Sequence, residues 1–403
     1  MTTKSTYFIP TYAEALEMTA GDTPSFYESK MVVDGYNVSV FNYRLAVYND
    51  FVTPIPSKPE VKAYEMRGLT FVFNEDGSLF NRYVLLEKFF NLNQVPESMY
   101  SVVKNYKIKY VNNKEDGSIA SFIKLPNGKI VGKSKMGFDN EQANGINRIY
   151  RTNKSVKFLV DWALSNDITA VFEYVAPHNK IVLRYSKEEL ILLRLRDNKT
   201  GKHLDINNYL DMINDVKVAP FEDDFASLDA LIELSATQTD KEGSVVHAID
   251  ANGIDHFFKI KTPWYCERHG LLTEDLYREH ILLGYILDDK IDDILGQIPE
   301  EEVEAHIRIN KMIGLIKQAI VDKTILVDKM EEVFNKMNRN RKDFALMYRK
   351  HPEFAFIVGR DKFEMIKEWL RKETNRLMIA REWLSERDAT LFFQDPVEDE
   401  DNN

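Results

Sequence analysis

"YVNNKEDGSIASF", residues 110–122, sets Lys114 directly ahead of Glu115, Asp116, Gly117 and Ser118. Two readings of this stretch compete. Asp-Gly between runs of β-branched and aromatic residues is a strong hairpin signal. A lysine closing a strand, with an acid two residues on, is also an arrangement for a nucleophile. The spacing Lys-x-Asp-Gly does not choose between them, so the decision lies with the rest of the chain.

Outward from this stretch the pattern is mostly strands broken by turns, up to about residue 268. "NVSVFNYRLAVY", "GLTFVFNEDGSLFNRYVLL", "SIASFIKLPNGKIVGKSK", "ITAVFEYVAP", "NKIVLRY", "ELILLRLRD" and "GSVVHAIDANGIDHFFKIK" carry strand-forming residues with Gly, Asn and Asp at the breaks. Hairpins are predicted at Asp76-Gly77, Asn127-Gly128 and Asn252-Gly253, and helices at 11–19, 139–165 and 226–235. After "CERHGLLTED" the pattern becomes helical, with apolar residues at helical spacing in "DKFEMIKEWLRKETNRLMIAREWL". The predicted class is α+β: an antiparallel-sheet domain over 1–268, a helical domain over 269–390 and an acidic, disordered tail over 391–403.

Composition excludes several classes. The chain has 403 residues, enough for more than one core, and a single cysteine, which rules out an internal disulfide or a cysteine-based metal cluster. No apolar run is long enough to span a bilayer, and the N-terminus has no signal-peptide pattern, so a cytoplasmic protein with no membrane partner is expected. A net charge of −11 argues against a protein that coats nucleic acid. The charge is nevertheless uneven. Between Ser101 and Lys135 eight lysines face two acids, and between Asn335 and Lys350 six basic residues face one. Basic patches on an acidic body suit a phosphate-bearing substrate that must bind and leave. A plain solvated face gives the same pattern.

Other clusters accompany Lys114 in order. "GKSKMG" holds Lys133 and Lys135 on one strand face, "VFEYVAP" places Glu173 in an apolar strand, "DKEGSVV" places Glu242-Gly243 before a strand, and "HFFKIKTPWY" alternates Lys259 and Lys261. Upstream stand Arg67 in "YEMRGLTF" and Lys88 in "LEKFFNLNQ". Each alone has a plain explanation: a solvent-facing strand residue, a turn, an edge blunted by charge, surface ion pairs. Their joint order changes the balance.

This order resembles the covalent nucleotidyltransferase superfamily, and within it the bacteriophage RNA ligase 1 family of the T-even phage type. The resemblance rests on "RG", "EKFFNLN", "KEDGS", "KSK", "FEYVAP", "NKIVL", "EG" and "FKIKTPWY", across about 35–268. It implies an adenylylation domain, a helical RNA-binding domain and a phage-encoded enzyme, monomeric, acting in the host cytoplasm. The implied reaction is ATP-dependent joining of RNA 5′-phosphate and 3′-hydroxyl ends, on single-stranded RNA or a broken tRNA anticodon loop. The cofactors implied are ATP as substrate and Mg²⁺.

The resemblance also implies roles, and the chemistry suits them. Lys114 is the nucleophile that becomes lysyl-AMP, since a neutral amine is a good nucleophile. Lys259 and Lys261 hold the α-phosphate and supply cations near Lys114. Arg67 and Lys88 bind the leaving phosphates, Glu173 a ribose hydroxyl, and Lys135 a further phosphate or a strand interface. Glu242 ligates metal directly or through water, with Asp116 orienting a metal-bound water or the lysine from behind. Asp292 and Asp293 resemble a family metal position outside the catalytic centre, although acid pairs on helices are commonly just solvated. The basic stretch at 335–350 is the implied tRNA patch. A DNA ligase or GTP-using capping enzyme shares the Lys-x-Asp-Gly order, but typically follows it with a small β-barrel, whereas residues after 268 read helical. A non-catalytic RNA-binding relative would be expected to have lost Lys114, Glu242 or Lys261, and all three are present.

Overall fold

The computed structural model describes residues 8–20, 25–179, 181–213, 215–222, 227–268, 279–296, 298, 300, 302–348 and 362–372. The expected acidic tail, the expected boundary at 269–273 and the end of the basic stretch at 349–350 lie outside these residues. The chain forms two compact units: Met1–Leu272 with Asp292–Glu301, and Thr273–Ile291 with Glu302–Asn403.

The first unit is built on three sheets. The first runs Phe26–Val33, Tyr36–Tyr43, Leu69–Phe73, Leu79–Tyr83 in order across the sheet. The second runs His203–Leu204, Glu189–Asp197, Ile168–Val175, Ser118–Lys124, Ile130–Ser134. The third runs Phe221–Glu222, Lys107–Lys114, Gly243–Ile249, Asp255–Lys261, Phe90–Asn91. Every ladder is antiparallel except the short one between Asp255–Lys261 and Phe90–Asn91. Mixed helix and antiparallel sheet is the predicted class.

The three predicted hairpins form, with Gly77, Gly128 and Gly253 at φ of 82°, 85° and 78°. A fourth, at Asp34-Gly35, has φ of 52° and 90°, the pair of positive angles that a tight type I′ hairpin requires. The expected helix over 139–165 is two, Glu141–Thr152 and Lys154–Ser165. Asn153 divides them, its side chain accepting from Ser155 N and Val156 N to cap the second. Both pack Ile146, Val156, Leu159 and Ala163 against Phe122, Phe172 and Leu192 of the second sheet.

One strand expectation fails. "NKIVLRY" carries strand-forming residues, yet 181–185 is irregular. Val182 N and Leu183 N both donate to the Asp116 carboxylate, so these amides find their acceptors without a ladder.

The second unit is helical among its described residues, with Glu279–Leu287, Val303–Lys336, Arg341–Met347 and Lys362–Arg371. Ile309, Met312, Ile313, Ile316, Ile320, Val327, Met330 and Phe334 line the buried face of the longest helix. Lys362 pairs with Asp328 and Glu331, and the buried Lys367 with Asp289. No described helix is long and apolar enough to cross a membrane.

Candidate active site

Strand register gathers the lysines. Gly243 lies opposite Lys114 on one neighbouring strand and opposite Lys261 on the other. Cross-strand partners share a sheet face, so both lysines point the same way, and Lys259, two residues before Lys261, joins them. Gly243 is required by space: a Cβ there would collide with the carbonyl oxygen of Ile260. The residue before it, Glu242, sets a buried carboxylate between the two lysines. Its Oε1 is 2.6 Å from Lys114 Nζ and 3.1 Å from Lys261 Nζ.

The opening stretch is no hairpin. Lys114 ends a strand of the third sheet, and Ser118 begins a strand of the second. Between them Gly117 passes against the next strand, where a Cβ would strike Tyr174 O, and its N–H donates to Glu173 Oε1 at 3.1 Å. Asp116 is buried and fully engaged. One oxygen takes Val182 N and Leu183 N at 2.8 and 2.7 Å, and the other takes the Tyr265 hydroxyl at 2.8 Å. It therefore holds the 181–185 loop and the Pro263–Arg268 helix against the lysine's flank.

Glu173 is half-buried rather than solvent-facing. Burial, with Glu242 as a nearby like charge, pushes its carboxyl up to about 8 against the pull of Lys114 and Arg67. Lys261 is held above its ordinary range: burial opposes its charge, but Asp293 and Glu242 outweigh that. Lys259 lies well below its range, through burial and the neighbouring Lys88.

Lys88 is buried and pairs with Asp292, and Lys261 pairs with Asp293 at 2.9 Å. The two aspartates thus stand beside the site lysines rather than apart from them. Asn91 Nδ2 donates to Asp292 O at 2.7 Å, fixing this segment within the first unit. Tyr43 carries Lys88 and Lys135 near its ring, 5.4 and 5.8 Å from the centroid. Burial raises its phenol, but Lys88, Arg67 and Lys135 together bring it below the ordinary value. Lys133, by contrast, points into the protein with only long contacts to the carbonyls of Gly68 and Lys135, and burial lowers it to about 7.

A cavity of about 730 Å³ opens on Lys114, walled by Val182, Leu183, Tyr185 and Trp264 together with the charged Glu115, Arg184, Asp240 and Lys241. Sequence reading missed Tyr43, Tyr185 and Tyr265. The aromatic residues of "FNYRLAVY" and "TPWY" were the available signal, but aromatic strands ordinarily mean core.

Residues 65–265 match the model of the RNA ligase family, of the T4 RNA ligase 1 type. This region belongs to the RNA ligase family. The RNA ligase region includes Arg67, Lys88, Lys114, Glu173, Glu242, Lys259 and Lys261, while Asp292 and Asp293 fall beyond it. A putative RNA ligase of Thermovibrio ammonificans is 28% identical over 268 residues, covering 65% of this chain and 66% of that protein. The chain thus spans just under two thirds of that relative's length. Among solved structures, an archaeal ATP-dependent RNA ligase is similar over 76% of each chain, at 11% identity and a TM-score of 0.46. A Naegleria gruberi RNA ligase mutant with AMP and Mn is similar over 45% of this chain and 57% of its own, at 19% identity and a TM-score of 0.36.

Proposed function

We propose that the protein is an ATP-dependent RNA ligase that joins 5′-phosphate and 3′-hydroxyl ends through lysyl-AMP and RNA–adenylate intermediates. The observation that carries this reading is the Lys114–Gly243–Lys261 row with Glu242 between the lysines. Lys114 Nζ gives up a proton, which Glu242 Oε1 is placed to hold, and attacks the α-phosphorus of ATP. The bond to the bridging oxygen breaks and pyrophosphate leaves. Lys259 and Lys261 take the charge that grows on the α-phosphate, and Arg67 and Lys88 the leaving phosphates. A 5′-phosphate oxygen of RNA then displaces Lys114 from the phosphorus, and the amine recovers a proton. Last, the 3′-hydroxyl attacks the activated 5′-phosphate and AMP departs.

The cavity beside Lys114 has the size of a small-molecule site, and Tyr185, Trp264 and the aliphatic residues within its partly charged lining offer a surface for a nucleobase. Glu173, outside that lining, is the residue assigned to the ribose. Glu242 fits a hard divalent cation, Mg²⁺ in the simplest case, because its buried carboxylate offers oxygen beside Lys114, where the phosphates would lie. Such an ion would neutralise phosphate charge, with Glu242 holding it directly or through water. Asp116 supports the neighbouring loop and helix from behind. In the helical unit Lys336, Arg339, Arg341 and Lys342 are exposed and suit the backbone of a structured RNA such as a broken tRNA.

The test mixes protein with α-labelled ATP and Mg²⁺ on a denaturing gel. Wild type is expected to retain label, and Lys114→Ala to retain none while still sealing pre-adenylated RNA. Label from GTP alone would move the protein to the capping enzymes. No label from either nucleotide would refute covalent nucleotidyl transfer.

A further inference from the structure

We propose that Arg196 is the positioning residue that sets the two phosphate arms, Arg67 and Lys88, against each other, and so governs the ATP step selectively. This rests on the RNA ligase reading above and deepens it.

Arg196 lies on the Glu189–Asp197 strand and is 0% exposed. A buried guanidinium needs all its donors met, and these donors reach both arms. Nη1 donates to Leu85 O at 2.6 Å and to Glu65 Oε2 at 3.1 Å, and lies 3.0 Å from Glu87 Oε2. Nη2 donates to Glu65 Oε1 at 2.6 Å, and Nε to Gly201 O at 3.1 Å. Glu65 precedes Arg67 by two residues, and Glu87 immediately precedes Lys88. His203 closes the network on both oxygens of Glu87 at 2.9 Å. The arms are also tied to each other, Lys88 N to Tyr64 O at 2.7 Å and Arg67 Nη1 to Leu86 O at 3.3 Å.

Apolar side chains could hold these two segments together at equal or lower cost than a buried charge network. What a planar fork adds is a fixed angle between its partners. That angle matters where two cations must meet phosphate oxygens at a set separation, since misplacement by about 1 Å costs on the order of 10²-fold in rate. Neither Arg196 nor Glu65 touches the reacting atoms in this reading.

The experiment compares wild type, Arg196→Lys and Glu65→Gln, each checked for folding by thermal melt. Lysine keeps the charge and loses the fork; glutamine keeps the shape and weakens one arm's hold. Three quantities are read: KM for ATP in adenylylation, affinity for inorganic pyrophosphate, and sealing of pre-adenylated RNA, where no pyrophosphate leaves. A rise of about tenfold or more in KM and in pyrophosphate Kd is expected, with sealing within about twofold of wild type. Equal loss in both steps, or unchanged ATP and pyrophosphate binding, overturns the proposal. So does failure of both variants to fold, which would make the network scaffold alone. A wild type that forms no covalent AMP would instead refute the ligase reading, while pyrophosphate affinity on the same samples still judges Arg196.

Discussion

Charge balance among single side chains decides the state of the site. Lys114 meets a carboxylate, Glu242, at 2.6 Å, and the same oxygen also serves Lys261. The sequence suggested Lys259 and Lys261 as bare cations acting on Lys114, but the charge of Lys261 is shared with Glu242 and Asp293. Behind the site, burial lowers His203 to about 4 despite its contact with Glu87, and Glu87 is itself held below the usual carboxylate range. The unfolded chain therefore binds a proton at His203 from about pH 6.5 downward that the folded protein refuses until about pH 4. Stability is full above that window and is lost as pH falls through it. Between pH 7 and pH 5 the loss from this group is about 2 kcal/mol at most. Thermal melts at the two pH values should show it, and His203→Gln should flatten the difference. An equal acid loss in that variant would place the effect elsewhere.

At the scale of elements, three strands form the row and one glycine lets them close. Gly243→Ala places a methyl against Ile260 O, and either the strand pairing or the position of Lys261 must yield. The expected cost is about 1–3 kcal/mol of stability, with enzyme–AMP formation falling by more than that loss of folded protein explains. Label retention per folded molecule measures it, and undiminished labelling would show that the row tolerates displacement. The hairpins were legible because Asp-Gly and Asn-Gly supply positive φ locally. "NKIVLRY" was misread because its β-branched residues promise a strand, while the acceptor its amides use, Asp116, lies far away in sequence. The same distance concealed the link from Asp116 to Tyr265.

Over the whole molecule, the chain returns to its first unit after leaving it. Residues 292–301 belong there, with Ile294, Leu295 and Ile298 buried and Asp292 and Asp293 on the site lysines. A protein ending at residue 272 loses this segment, and one ending at 301 keeps it. The longer form is expected to adenylylate like the full chain while using broken tRNA poorly. The shorter form should melt lower and label less. Labelled ATP, a melt and a cleaved tRNA substrate decide it; equal labelling by both forms would show that the segment does not contribute to the site.

What the sequence by itself determined is the class of fold and the residues available for the proposed chemistry. The lysines, the arginine and the carboxylates are given by residue type and order, and alternation and turn residues are local signals. What only the tertiary structure decided is which charges meet. Register put Glu242 between Lys114 and Lys261, burial made Arg196 seek carboxylates on two separate arms, and Asp292 and Asp293 came to rest on Lys88 and Lys261. Such pairings depend on distance and desolvation, which are properties of the folded chain and carry no periodic mark in the sequence.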